Sequence, residues 1–240
     1  YSDVTKTMKT VISTPQLRDL AFGSFSFGGL QSIFAGFFIL FLIDGLGFNE
    51  VEAGMAFAIA SFTAVGARIL WGYIGSIYLS ARIVLGFIGI FSSIASILTG
   101  LYDESWSYSL IVAIAILYNI TALSWHGILL AEIARLSSRD TVAGITGGVL
   151  AFTSISMMVY PAIYGILLGL TGSYATGFLL SSIPAFIGGI ILLRRPVETS
   201  WIKIIFDYLN YISRIPNLIY GFLLALIGIT IGLVTGFIFL

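Results

Sequence analysis

The chain has 240 residues, 58% of them hydrophobic and 9% charged, with a mean hydropathy of +1.06. A soluble domain carries about 25% charged residues; the charges here are too few to cover a water-facing surface, and the composition implies an integral membrane protein. Eleven basic residues balance eleven acidic ones, without the basic excess of a nucleic-acid binder, and the lack of cysteine excludes a disulfide scaffold, a thiolate metal site and a cysteine nucleophile.

Crossing a bilayer takes about 20 apolar residues. Seven runs qualify, at about 20–43, 54–75, 83–101, 108–131, 142–169, 176–193 and 217–240. The expected fold is therefore all-α, a multi-pass transmembrane helix bundle. It divides into a cytoplasmic lead-in (1–19), a six-helix unit (20–195), a linker (196–216) and an additional span (217–240). No basic region followed by a small-residue cleavage site opens the chain, so no cleavable signal peptide is expected. The start at Tyr1 and the end inside an apolar run lead us to expect further sequence at both ends.

The Lys/Arg bias of the connecting segments sets the expected orientation. Lys6, Lys9 and Arg18 precede span one; Arg82 stands between spans two and three; Arg135 and Arg139 follow span four; Arg194, Arg195, Lys203 and Arg214 follow span six. Arg68 lies in the half of span two that faces the same side. Asp44, Glu50, Glu52, Asp103 and Glu104 mark the opposite loops. The expectation is a cell-membrane protein with a cytoplasmic N-terminus. Tyr102, Trp106, Tyr108 and Tyr174 at outer boundaries, and Trp71, Tyr73 and Tyr78 at an inner one, suit interfacial anchors.

Within 199–215, Lys203, Asp207, Asn210 and Arg214 recur at helical spacing, with Trp201, Ile204, Ile205, Tyr208, Ile212 and Ile215 between them. This pattern predicts an amphipathic helix in the cytoplasmic interface, as a linker or a partner-binding element. Glycines four apart (Gly144 and Gly148, Gly165 and Gly169, and Gly228, Gly232 and Gly236) predict stripes on which helices approach closely.

Six spans with short loops divide into three plus three, and an odd number per unit inverts the second triplet, as in secondary transporters. The first span of each triplet then occupies an equivalent place. Gln31 in "FGGLQSIFAGF" and Asn119 in "LYNITALSWHG" each lie about 11 residues into their spans. That is roughly 16 Å along the axis, near the bilayer midplane. Gln31, Tyr118, Asn119 and Trp125 are accordingly candidate substrate-lining residues. Interhelical hydrogen bonds are the plainer role for the same side chains.

Three stretches resemble the carboxyl-terminal half of a major facilitator superfamily transporter over about residues 10–195. "TPQLRDLAFGSFSFGG" resembles the end of the central loop entering the seventh helix. "GARILWGYIGSIYLSARIVL" resembles the loop of form G-x-x-x-D-R-x-G-R-R between the eighth and ninth helices, with Ser76 in the place of the Asp and Arg82 left of the basic cluster. "PAIYGILLGLTGSYATGF" resembles the eleventh helix and the turn into the twelfth. The resemblance implies alternating access against a second bundle, either an amino-terminal half in the same polypeptide or a second copy. It does not account for a seventh span.

Gating and coupling candidates are Arg68, Arg82, His126, Glu132 and Arg135. His126, the single histidine, titrates in a range suited to proton coupling, or packs as a hydrogen-bonded neighbour of Trp125. Glu132 and Arg135 share a helical face and can pair with each other or with Arg68 or Arg82, as a gate or as ordinary interfacial charge. Arg68 either snorkels to the headgroups or pairs inside the bundle. Pro161 should bend span five.

With one His, no Cys and no carboxylate near the centre of a span, neither an intramembrane protease nor a metalloenzyme is expected, and no cofactor. The orientation and the absence of lysine from the last span argue against a seven-helix receptor or a retinal protein. The expected function is a secondary transporter of a small organic solute, possible proton coupling included. A non-transporting structural membrane protein or inactive half-transporter is the alternative. The expected partners are the lipid bilayer, the second bundle and the solute, with no nucleic acid.

Overall fold

A computed structural model describes residues 2–194, and every element in this range is helical. The expected interfacial helix over 196–216, the seventh span and the Gly228–Gly232–Gly236 stripe lie outside the described residues. Among the described residues, six helices are long and apolar enough to cross a bilayer, as a multi-pass membrane protein requires.

The chain opens with α1 (Ser2–Ser13), then α2 (Pro15–Leu40). Pro15 at the first helical position, with Thr14 extended before it, starts α2 five residues earlier than hydropathy suggests. Its C-terminal end leaves α-geometry in a π-helical turn, Phe41–Gly45. Helix α3 (Glu50–Ile77) starts in a capping box, Asn49 Oδ1 accepting from the Glu52 amide at 2.9 Å. Helix α4 (Ala81–Gly100) is capped by Ser80. In the turn that follows, the Ser105 amide and hydroxyl donate to Asp103 at 2.9 and 2.6 Å and hold its carboxyl below the ordinary range. The buried Tyr102 phenol there is pushed well up by lost hydration.

The fourth span is two helices, α5 (Tyr108–Ala122) and α6 (His126–Leu136), and this corrects the continuous run expected over 108–131. Helix α7 (Val142–Thr171) runs unbroken through Pro161 and ends at Gly172, whose φ of +66° favours glycine. Helix α8 (Tyr174–Arg194) completes the bundle.

The principal packings are α4 on α8, α2 on α7, α3 on α5, α2 on α8 and α4 on α5. Glycine permits the closest of these. A methyl group at Gly89 would stand 2.7 Å from Gly189 Cα and 3.1 Å from the Ala185 carbonyl, so α4 and α8 meet backbone to backbone. Ser96 Oγ adds a hydrogen bond to the Phe178 carbonyl across the same seam (2.8 Å). The expected stripes fare differently: Gly144 and Gly148 receive Thr7 and Val11 of α1, whereas Gly165 and Gly169 face open space. Helices α3 and α7 are the least buried, with 28% of their most apolar stretches buried against 44% to 61% in the other four spans.

Candidate functional site

The interruption of span four lies between Ala122 and His126, where Leu123, Ser124 and Trp125 leave the helical path. A backbone break at membrane depth must have its polar groups satisfied by protein, or line a water-filled space. Much of that satisfaction comes from α3. Trp71 Nε1 donates to the Ile120 carbonyl at 2.6 Å, and Arg68 Nε donates to the Leu123 carbonyl at 3.3 Å. Ser124 Oγ is 3.3 Å from the Ala64 carbonyl and 3.2 Å from the Asn119 carbonyl. Trp71, expected as an interfacial anchor, is therefore a half-buried support of the break.

Side chains at the break cluster. The Trp125 indole, wholly buried, stacks on the His126 ring with centroids 3.8 Å apart and meets Phe27 at 5.8 Å. Arg68 is close enough to His126 for their charges to interact. No side chain caps the first turn of α6. His126 is half-buried, while Arg68 and Gly127 are exposed.

The lining candidates of spans one and four meet through their neighbours. Tyr118 Oη donates to the Leu30 carbonyl at 2.9 Å, and its ring lies 4.8 Å from Phe34. Tyr118, Asn119 and Trp125 are wholly buried, and Gln31 half-buried. Asn119 Nδ2 donates within its own helix, to the Ala115 carbonyl. Gln31 Oε1, Asn119 Oδ1 and Trp125 Nε1 are buried and lack hydrogen-bond partners. Tyr118 thus serves as an interhelical tie, while the other three keep unused polar capacity at depth.

The charged candidates separate into two places. Glu132, wholly buried, takes both bonds of the Arg135 fork at 2.7 and 2.8 Å, so of its open pairings the local one is made. Arg82 is not a loop charge. It lies buried in the first turn of α4, with Nη2 2.7 Å from Asp19 Oδ2 of α2 and 3.4 Å from the Ile191 carbonyl of α8. Asp19 escaped the sequence reading. The signal for it was Thr14–Pro15, a helix start that puts Asp19 inside α2 rather than in a lead-in. Among the described residues, no group of His, Asp and Glu has the arrangement of a metal site.

Comparison of the chain with family models, with curated proteins and with solved structures finds no match.

Proposed function

We propose that the chain is one six-helix bundle of a secondary transporter of the major facilitator type, in the cell membrane with its N-terminus in the cytoplasm. It moves a small organic solute by alternating access against a second bundle, an amino-terminal half of the same polypeptide or a second copy. The observation that carries this reading is the packing pattern. Exchanging spans one to three for spans four to six turns the pairing of one with five (α2 on α7) into that of four with two (α5 on α3). The same exchange turns one with six (α2 on α8) into four with three (α5 on α4), and leaves three with six (α4 on α8) unchanged. Two inverted triplets about an axis in the membrane plane have this property.

Burial supports the same reading. Spans two and five exchange with each other and are equally the least buried, which leaves two matched apolar faces for a second bundle. The interrupted span four supports a transport role further, because broken helices at depth line transporter sites. His126 at the break is the proposed proton-coupling group. Reconstituting the chain with its flanking sequence into sealed vesicles, and screening uptake of labelled organic solutes, tests the proposal. Saturable uptake that becomes less pH-dependent in His126→Ala is the expected result. Tight, correctly inserted vesicles that move no solute would favour the structural, non-transporting alternative.

A further inference from the structure

Arg68 lies nine residues before the end of α3 at Ile77, about 14 Å along the axis. Helical side chains lean towards their own N-terminus, so Arg68 leans away from that nearer end. Its Nε bond to the Leu123 carbonyl holds it against the broken span rather than towards headgroups. Snorkelling therefore does not account for it. Arg82 and Arg135 each hold a carboxylate, but among the described residues none lies within ion-pair distance of Arg68. A deep guanidinium without a counter-charge is costly unless it meets water or an anion.

The surroundings are rich in donors. The Leu123 carbonyl that holds Arg68 lies three residues before His126, the first turn of α6 has no side-chain cap, and the indole N–H of the buried Trp125, stacked on His126, has no acceptor. The exposed Gly127 leaves that turn open, with no atom within 4 Å of where a Cβ would stand. An acceptor-bearing, negatively charged group is what such a locus lacks.

We propose that Arg68, with His126 and the first turn of α6, binds the anionic group of a small organic anion, a carboxylate being the simplest case. The inference rests on the transporter reading and names the substrate class of its site. Arg68 supplies the charge and the remaining fork of its guanidinium, and the uncapped first turn of α6 supplies backbone amides.

The test is anion protection of Arg68 in the full chain reconstituted in vesicles. Phenylglyoxal modification is followed residue by residue by mass spectrometry, with benzoate, benzyl alcohol or benzylamine added. Benzoate is expected to slow modification of Arg68 at least tenfold and to leave Arg139 unaffected, with no effect from the alcohol or the amine. Benzoate should also raise the unfolding temperature of the wild type but not of Arg68→Gln; Arg68→Lys should keep part of that rise. Equal rates with and without benzoate overturn the proposal, as does an Arg68 that never reacts while Arg139 does. Uptake of neutral or cationic solutes without anion protection sinks this inference and leaves the transporter reading standing. Anion protection in vesicles that transport nothing does the reverse.

Discussion

The Asp19 and Arg82 side chains keep only 7% and 4% of their surface exposed, so both charges have surrendered most of their hydration. A buried pair of this kind is weak evidence of net stabilisation, but removing one partner strands the other. Asp19→Asn should destabilise the bundle by about 3–5 kcal/mol, read as a fall in unfolding temperature in detergent. The double variant Asp19→Leu with Arg82→Met should recover most of that loss; equal losses in both variants would mean the two residues are not coupled. Glu132→Gln, in contrast, leaves an exposed Arg135 free to hydrate, so assembly should survive and transport kinetics report any gating role.

Helices meet here through what glycine leaves out and what polar side chains put back. Gly89→Ala must push α8 from α4 and should cost about 1–3 kcal/mol, whereas Gly165→Ala faces open space and should be neutral or stabilising by up to about 1 kcal/mol. Thermal unfolding of the two variants side by side separates packing from helix propensity. Trp71→Phe removes the bond to the Ile120 carbonyl at a cost of about 1 kcal/mol. Faster hydrogen exchange over 120–128 is the expected signature.

The six spans were legible because bilayer thickness sets a length that hydropathy counts directly. The break was not. Leu123, Ser124 and Trp125 contain no Gly or Pro, and hydropathy is blind to a backbone path that is held by donors 50 or so residues away in sequence on α3. Gln31, Asn119 and Trp125 were legible as polar or amphipathic groups at depth. Which of them stays unsatisfied depends on rotamers and neighbours, and spacing carries no such information.

For the molecule as a whole, the distribution of charge makes a topological prediction that the lack of cysteine renders easy to check. In intact cells, a membrane-impermeant maleimide should label Glu104→Cys and should reach Arg139→Cys only after permeabilisation. The reverse pattern would invert the proposed orientation. In the proposed assembly a second bundle covers both of the matched, poorly buried faces on α3 and α7 at once. Large side chains such as Phe62 (80% exposed) and Met158 (77%) point out from them.

The π-helical turn at Phe41–Gly45 has a consequence for insertions and deletions. Each residue of an α-helix advances the azimuth by about 100°, and a π-turn holds one residue more than the α-turn it replaces. Asp44 reaches the Tyr174 hydroxyl, 3.0 Å away at the start of α8, at the far end of that widened turn. Deleting Ile43 would remove that extra residue and let the turn close to α-geometry, so the residues on either side of it keep their azimuth. The Tyr174 hydroxyl would then keep its acceptor, whereas the same deletion in an α-helical stretch of α2 would swing everything beyond it by about 100°.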